Sequence, residues 1–279
     1  IRAWGCAVIP APFTHVRVSS TKEASDALDH YGDDAKLLAG GHSLIPLMKL
    51  RLATPSVLID IMRIQELKGI RRENGNIVIG ALTNHVEIER SPIVQQYAPL
   101  IAAAAAYVGD PQVRNRGTIG GSVAHGDSAS DLSGALLAAN ATFVVSGPSG
   151  IRQIPVAEFF LGFWTTALEP SDVMTEISIP EASQSPWSYQ KFTIRSQDWA
   201  VVSVALSGSR IVLGAMGEIP LRAEATEQAL LNGASAEEAS KLAAENTNPS
   251  SDLRASADYR RHLAQVLVLD ALSESSSRI

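Results

Sequence analysis

Two glycine-rich stretches are the parts of this sequence with the clearest chemical potential. AGGHS at residues 39–43 follows a short apolar run, and RGTIGGSVAHGD at residues 116–127 has four glycines in twelve residues. Successive backbone N–H groups in such turns form a concave nest for phosphate oxygens, above all beside a helix N-terminus. Either stretch alone is also typical of a tight turn. Together they favour a dinucleotide pyrophosphate, which has two faces to hold.

The sequence lacks the common nucleotide-binding signatures. Neither glycine stretch has the G-x-G-x-x-G spacing, and G-x-x-x-x-G-K-[ST] is absent. Rossmann-type and P-loop sites are therefore disfavoured. A nucleotide site in this chain would be of another kind.

The polar segment HGDSASD at residues 125–131 offers His125, Asp127 and Asp131. Their spacing matches no established metal site, and no H-E-x-x-H or paired-cysteine motif accompanies them. No G-x-S-x-G elbow marks a nucleophilic serine. Asp131 precedes LSGALL and is predicted to be a helix N-cap, from which a carboxylate can also reach a ligand hydroxyl. We predict no catalytic residue and no metal ligand in this chain.

Two further groups of polar residues carry no pattern of their own. Lys191 lies within the strand-like run YQKFTI, where a lysine normally points outward into solvent. RNRG at residues 114–117 is typical of a solvated loop. Ordinary surface or core roles are expected for the scattered histidines, which are His15, His30, His85 and His262.

Composition narrows the class of protein. The 279 residues are 46% hydrophobic and 19% charged, with a net charge of −6 that gives no reason to expect nucleic acid or an anionic membrane as partner. The longest apolar run, PLIAAAAAYVG, is far shorter than the roughly 20 residues of a membrane-spanning helix. The single cysteine, Cys6, excludes an internal disulfide and an iron–sulfur cluster held by this chain's own thiolates. A cysteine-poor chain fits a reducing compartment.

The N-terminal part of the chain is predicted to form a small α/β unit. FTHVRV at residues 13–18 alternates like a strand, and the following helix starts with the capping-box pair Ser20 and Glu23 and ends at Gly32. Two more apolar runs, AKLLA and SVLIDI, predict a parallel strand pair on either side of the first glycine turn. Residues 69–82 are predicted to be a hairpin with Asn74-Gly75 at its turn.

The rest of the chain alternates between helix and strand patterns. We predict helices at 91–108 and 131–140 on either side of a polar stretch, a hairpin in ATFVVSGPSGIRQIP and a strand at 172–180. PEASQSPWS at residues 180–188 is typical of a linker. Beyond it, YQKFTI, AVVSVAL and RIVLGAM predict strands, and helices are predicted at 223–232, 235–245 and 256–273. The predicted organisation is an extension over 1–9, a domain over 10–181 with subdomains of about 10–61 and 62–181, a second domain over 182–273, and a tail over 274–279.

Three segments carry a resemblance to a known family. LLAGGHSLIPLMKLRLATPSVLIDI, VGDPQVRNRGTIGGSVAHGDSASDL and SADYRRHLAQVLVLDAL resemble the FAD-binding (medium) subunits of the molybdenum hydroxylases, which include xanthine dehydrogenase and aldehyde oxidase. The aerobic carbon monoxide dehydrogenases are the nearest branch. The similarity runs from about Pro10 to Leu272. It implies an α+β fold of the vanillyl-alcohol-oxidase type, with an N-terminal α/β subdomain, a central mixed sheet and a C-terminal antiparallel sheet with helices.

The resemblance also implies which residues bind FAD. Both glycine turns would hold the pyrophosphate, Asp131 would accept hydrogen bonds from a cofactor hydroxyl or ring N–H, and Lys191 would stabilise negative charge on the reduced flavin. Tyr189 matches an aromatic residue close to the isoalloxazine, and Ser122 departs from the asparagine of many relatives. The implied cofactor-binding residues are Lys36, Leu37, Leu38, Ala39, Gly40, Gly41, His42, Ser43, Val108, Thr118, Ile119, Gly120, Gly121, Ser122, Asp131, Met174, Tyr189 and Lys191.

The implied function is that of a flavoprotein subunit in a three-component complex. A large molybdenum subunit would oxidise the substrate, a small subunit with [2Fe–2S] clusters would relay electrons, and FAD on this chain would pass them to an acceptor such as quinone. The expected assembly is a dimer of heterotrimers in the cytoplasm or at the inner face of the membrane. The substrate is open between carbon monoxide and a purine, N-heterocycle or aldehyde. A stand-alone flavin oxidase and a nucleotide-binding module without redox activity are the alternatives from other classes.

Overall fold

The computed structural model of the protein describes residues 9–277. The strands are β1 Thr14–Arg17, β2 Ala35–Leu38, β3 Val57–Asp60, β4 Ile70–Glu73, β5 Asn76–Gly80, β6 Thr142–Gly147, β7 Gly150–Pro155, β8 Phe160–Gly162, β9 Thr165–Thr166, β10 Val173–Pro180, β11 Trp187–Phe192, β12 Val202–Ser207, β13 Arg210–Gly214 and β14 Leu221–Arg222. The helices are α1 Thr21–Tyr31, α2 Leu44–Lys49, α3 His85–Arg90, α4 Pro92–Tyr97, α5 Pro99–Ala106, α6 Pro111–Arg116, α7 Ile119–His125, α8 Asp131–Ala138, α9 Glu224–Leu231, α10 Ala236–Ser240 and α11 Ala257–Ser276. Cys6, almost all of the predicted extension and the end of the predicted tail lie outside the described residues.

The N-terminal unit is a three-stranded parallel sheet in the order β1-β3-β2. The Ser20 hydroxyl caps α1 by accepting a hydrogen bond from the Glu23 N–H at 3.2 Å, and Ala24 and Leu28 bury the helix in a core beneath the sheet. This confirms the predicted α/β unit. The glycine turn after β2, however, leads into the short helix α2, which the sequence pattern did not predict.

The central sheet has the order β4-β5-β10-β6-β7 and is antiparallel throughout. The expectation of a mixed sheet is therefore wrong for this chain. Tight turns join β4 to β5 and β6 to β7, and strands joined in this way can only pair antiparallel, while β10 also runs antiparallel to its two neighbours, β5 and β6. Asn74 and Gly75 have positive φ values of 51° and 75°, as the predicted hairpin turn requires.

Two stretches of helix differ from the prediction. The single helix expected at 91–108 divides at Ala98 into α4 and α5, since Pro99 disfavours the helical conformation of the residue before it. The polar stretch after residue 108 contains α6 and α7, with Asp110 and Thr118 as side-chain N-caps. The helix predicted at 235–245 is regular only in α10.

The C-terminal sheet, β11-β12-β13-β14, is antiparallel as expected. It is buried on both faces: Val204 and Leu213 pack in one core with α11, while Ala205 and Val212 pack in the central core with α8. Helix α11 continues to Ser276, beyond the start of the predicted tail. Within residues 9–277 no helix is long and apolar enough to cross a membrane.

Candidate cofactor site

A cavity of about 560 Å³ collects residues from both glycine turns, α8, β10, β11 and the segment at 197–199. Of the residues that the resemblance implied, Leu38, Ile119 and Tyr189 do not line it. Those that do are Lys36, Leu37, Ala39, Gly40, Gly41, His42, Ser43, Val108, Thr118, Gly120, Gly121, Ser122, Asp131, Met174 and Lys191.

The first glycine turn, residues 39–43, presents unused hydrogen-bond donors. The backbone N–H groups of Gly40, Gly41, His42 and Ser43 donate to no group within residues 9–277. Gly41 has a φ of 77°, and its carbonyl oxygen accepts the Ile45 N–H at 3.0 Å as α2 begins. Successive free N–H groups beside a positive-φ glycine form the type of nest that binds phosphate oxygens.

The second glycine turn, residues 117–122, uses its backbone donors within the protein except that of Thr118, which donates to no group within residues 9–277. The Ile119 N–H donates to the Thr83 carbonyl at 3.1 Å, and the Gly120 N–H donates to the Ala81 carbonyl at 2.9 Å. The Gly121 N–H donates to the Thr118 hydroxyl at 3.3 Å. The polar groups that this turn can offer a ligand are therefore the Thr118 N–H and the hydroxyls of Thr118 and Ser122 rather than glycine N–H groups.

The two turns touch each other at Gly40. A Cβ on Gly40 would overlap the Arg116 carbonyl oxygen and would lie 2.9 Å from the Gly117 Cα. A Cβ on Gly120 would lie 2.6 Å from the Ala81 Cβ. Both distances are below normal van der Waals contact, so glycine at these positions serves the packing of the turns.

Asp131 lies on the cavity wall as the first residue of α8, preceded by Ser130 as the N-cap. The prediction that Asp131 itself is the N-cap is therefore wrong by one residue. Its carboxylate accepts a hydrogen bond from the Tyr189 hydroxyl at 2.6 Å and forms an ion pair with the Lys191 ammonium at 2.9 Å. Burial raises the pKa of Asp131, and the charge of Lys191 offsets part of that effect.

Lys191 is almost fully buried, with 2% of its side chain exposed. Its ammonium also donates to the Tyr107 carbonyl at 3.1 Å. The side chain is therefore not in the outward, solvated position that is ordinary for a strand lysine, since this face of β11 is turned toward Asp131 at the start of α8. The buried ammonium is compensated by Asp131 at the edge of the cavity.

Tyr189 shares a face of β11 with Lys191, because side chains two residues apart on a strand point the same way. It lies beneath Asp131 and outside the cavity, with its ring centroid 5.3 Å from that of Tyr107. Burial raises the pKa of the Tyr189 hydroxyl well above its ordinary value. Its geometry is that of a support for the Asp131 carboxylate.

Ser122, where many relatives have asparagine, lies with its hydroxyl oxygen 2.9 Å from that of Ser130. Ser130 also lines the cavity, so two short hydroxyl side chains stand in this place. Sequence reasoning missed Ser130, together with other lining residues such as His85, Gly117, Gln197, Asp198 and Trp199. Ser130 and Gly117 adjoin the predicted site residues Asp131 and Thr118 and could have been found from the sequence. The segment QDW at residues 197–199 has no pattern that indicates a binding role.

The residues present fit a dinucleotide cofactor. A volume of about 560 Å³ is in the usual range of small-molecule pockets. Four free N–H groups lie at one turn, and the Thr118 and Ser122 hydroxyls lie at the other, so a pyrophosphate can be held from both sides. The described residues bring together no group of three or more His, Cys, Asp or Glu side chains that could hold a metal ion.

Comparisons with known proteins agree with this site. Residues 11–182 match the family described as "FAD binding domain in molybdopterin dehydrogenase", and residues 187–275 match "CO dehydrogenase flavoprotein C-terminal domain". The chain is 44% identical to the carbon monoxide dehydrogenase medium chain of Hydrogenophaga pseudoflava, covering 97% of this chain and 99% of that one. It is 35% identical to the glyceraldehyde dehydrogenase medium chain of Sulfolobus acidocaldarius, covering 95% and 99%.

Solved structures give the same picture. The chain superposes with a TM-score of 0.92 and 46% identity on a chain of carbon monoxide dehydrogenase from Hydrogenophaga pseudoflava, covering 97% of this chain and 99% of that one. The TM-score is 0.91 at 30% identity for a chain of quinoline 2-oxidoreductase from Pseudomonas putida 86, with 96% and 99% covered.

Proposed function

The chain belongs to the family of FAD-binding domains of molybdopterin dehydrogenases, and from this premise we propose that it is the FAD-carrying medium subunit of an aerobic carbon monoxide dehydrogenase. Its partners are a large molybdenum subunit and a small subunit with [2Fe–2S] clusters, assembled as a dimer of heterotrimers. The complex works in the cytoplasm or at the inner face of the membrane. Electrons reach this chain from the small subunit and leave to an external acceptor such as quinone.

The free N–H groups of the first glycine turn are the observation that carries this proposal. Four successive donors beside a cavity of about 560 Å³ have no partner within residues 9–277 and are available to an anionic ligand. The Gly40 to Ser43 N–H groups would hold pyrophosphate oxygens from one side, and the Thr118 and Ser122 hydroxyls would hold them from the other.

The remaining residues orient the cofactor. FAD supplies the electron-transfer chemistry when bound, accepting and releasing electrons singly or in pairs. The Asp131 carboxylate is fixed by Tyr189 and Lys191, and it presents its remaining lone pairs to the cavity as a hydrogen-bond acceptor. Lys191 places a buried positive charge beside the same wall, compensated by Asp131.

The second candidate function is the same role as FAD subunit in a complex that oxidises a substrate other than carbon monoxide. The chain is 35% identical both to the carbon monoxide dehydrogenase medium chain of Afipia carboxidovorans and to the nicotine 6-hydroxylase medium subunit of Paenarthrobacter nicotinovorans. Equal similarity to two such subunits supports a shared role in accepting electrons, with the substrate chosen by the large subunit. The 44% identity to a further carbon monoxide dehydrogenase medium chain favours carbon monoxide.

The proposal is tested by reducing the flavin with and without the partner subunits. The purified chain is expected to hold one FAD that acid precipitation releases. In anaerobic stopped-flow measurements, carbon monoxide should bleach the flavin of the three-subunit complex and leave that of the isolated chain oxidised, while dithionite bleaches both. Xanthine, quinoline and an aldehyde serve as parallel substrates. Bleaching of the isolated chain by any of them, or FAD that stays attached in acid, would support the stand-alone oxidase instead.

A further inference from the structure

The loop between β11 and β12, residues 193–201, forms a part of the cavity wall that the proposed function has not used. Gln197, Asp198 and Trp199 line the cavity, and Trp199 is 46% exposed. Inside the loop, the Asp198 N–H donates to the Arg195 carbonyl at 3.0 Å. The β11–β12 loop otherwise depends on the residues at its two ends for its position against the cavity.

Both ends of the β11–β12 loop are held by adjacent residues of helix α11. Before the loop, the Phe192 ring centroid lies 6.2 Å from that of Tyr259 in an edge-to-face contact. At the end of the loop, the Val201 carbonyl accepts a hydrogen bond from Nη1 of Arg260. The Val201 N–H donates to the Phe192 carbonyl at 2.9 Å, which joins the two ends to each other. Helix α11 therefore fixes the base of the loop.

Arg260 is the buried member of this arrangement. Its side chain is 3% exposed, and its Nη2 forms an ion pair with Asp252 at 2.9 Å. One guanidinium thus links the segment before α11 to the end of the β11–β12 loop, and its fixed fork of donors suits two partners at once. Arg260 belongs to SADYRRHLAQVLVLDAL, a segment that carries the resemblance and yet supplies no residue to the cavity wall.

We propose that Arg260 is a positioning residue of the FAD site, which acts through the Val201 carbonyl to keep residues 197–199 against the cavity. The inference rests on the proposed function, because it needs FAD in this cavity. Lys191, the residue expected to face the reduced flavin, lies two positions before the loop. Arg260 therefore supports the flavin-ring end of the cavity and not the pyrophosphate end at the glycine turns.

Partial ligands separate these two ends of the site. The full chain, freed of flavin, is titrated by calorimetry with FAD, with riboflavin and with ADP. In Arg260→Met, which removes the donor to Val201, the dissociation constants of FAD and riboflavin should rise at least about tenfold. The constant of ADP should change by less than about twofold, because ADP lacks the flavin ring. Arg260→Lys keeps the charge but not the fork, so its effect on the same two ligands should be smaller.

The neighbouring arginine provides the matched control. Arg261 is 39% exposed and pairs with the exposed Asp258 at 2.9 Å on the surface of α11. Arg261→Met makes the same chemical change one residue further along the helix, and it should leave all three dissociation constants at their wild-type values. Thermal unfolding without flavin checks that each variant is folded. If Arg260→Met does not fold, Arg260→Lys decides the test by the same comparison of ligands.

Trypsin cleavage reports on the loop directly. Arg195 is exposed in the β11–β12 loop, and Arg51 is exposed in the turn after α2. Without flavin, Arg260→Met should be cut faster than wild type after Arg195 and at the wild-type rate after Arg51, because only the loop opens. Equal acceleration at both sites would indicate a general loss of stability and would overturn the positioning role.

The outcomes separate this inference from the proposed function. FAD and riboflavin constants in the folded Arg260 variant that stay within about twofold of wild type would overturn the role of Arg260 and leave the FAD site standing. An equal loss of affinity for ADP would overturn it as well, since the effect would then not be confined to the flavin end. A wild-type chain that binds no FAD would contradict the proposed function itself.

Discussion

The two glycine turns are similar in sequence and opposite in hydrogen bonding. The first turn, residues 39–43, keeps the N–H groups of Gly40, Gly41, His42 and Ser43 free of partners within residues 9–277, whereas the second uses those of Ile119 to Ser122 on Thr83, Ala81 and Thr118. The first turn is therefore an open set of donors, whereas the second uses its glycine N–H groups inside the protein.

The difference shows that a position can require glycine for two distinct physical reasons. Gly41 is glycine because its φ of 77° is a left-handed value. Gly120 is glycine because Ala81 fills the space of a Cβ. Like the second glycine turn, the buried pair of Asp131 and Lys191 is satisfied within the protein, because the two charges compensate each other. We expect substitutions at Gly120, Asp131 and Lys191 to lower the stability of the protein, and substitutions in the first turn to lower mainly its affinity for FAD.

Lys191→Met is expected to have the largest effect. It leaves the Asp131 carboxylate buried without its partner charge, which in other proteins costs about 3–5 kcal/mol. The free energy of unfolding of the flavin-free chain, measured by urea titration, should fall by about that amount at neutral pH. The loss should shrink in acid, because the raised pKa of Asp131 lets the folded protein take up a proton there.

The matched control removes both charges. The double variant Asp131→Asn with Lys191→Met has no uncompensated ion, so it should lose less stability than Lys191→Met alone. If Lys191→Met alone lowers the free energy of unfolding by less than about 1 kcal/mol, the buried ion pair is contradicted. Lys191 would then behave as an ordinary solvated strand lysine.

Much of the fold follows from local patterns in the sequence. The Asn74-Gly75 hairpin, the capped helix α1 and three of the four strands of the C-terminal sheet were predicted, because turn residues, caps and apolar alternation act within a few positions. Helices α6 and α7 were missed because both are short, α6 is polar and α7 contains two glycines. Tertiary contacts such as the hydrogen bond from the Gly120 N–H to the Ala81 carbonyl hold α7 in place. Periodicity carries no signal for such helices.

Most residues of the site could be predicted from the sequence, but their hydrogen bonds and ion pairs could not. The motif residues gather around one cavity, yet the sequence could not tell that β11 turns Lys191 inward or that Ile119 to Ser122 have no free N–H. Those facts depend on partners distant in sequence: Asp131 lies 60 residues from Lys191. His85, in contrast, belongs to no motif, and only its position on the cavity wall in the folded structure reveals it.

Gly120→Ala is expected to have an intermediate effect. The new Cβ would lie 2.6 Å from the Ala81 Cβ and 2.8 Å from its carbonyl oxygen, neither of which is a flexible end of a side chain. Overpacking of this kind costs about 1–3 kcal/mol, and the flavin-free chain should show the whole loss. Gly134→Ala in α8 is the control, because its Cβ would meet only Val212 at an ordinary 3.7 Å. If both variants unfold at the same urea concentration as wild type, the second turn is not the packed element described.

Gly41→Ala is expected to lower the free energy of unfolding least of the three changes. Relative to that loss of stability, it should lower FAD affinity most. The left-handed φ of 77° costs a non-glycine residue about 1–2 kcal/mol, while its Cβ would meet only the movable ends of Ile45 and Leu38. The strain acts on the free N–H groups, so we expect FAD affinity to fall at least about tenfold, or 1.4 kcal/mol. Gly75→Ala is the control, since Gly75 has a closely similar φ of 75° and no atom within 4 Å of its Cβ, but it lies in the hairpin turn between β4 and β5 and outside the cavity wall. Fluorescence titration with FAD and urea unfolding of both variants should therefore give similar losses of stability and a loss of affinity in Gly41→Ala only. Equal affinities would mean that the first turn, like the second, is glycine-rich for its own packing.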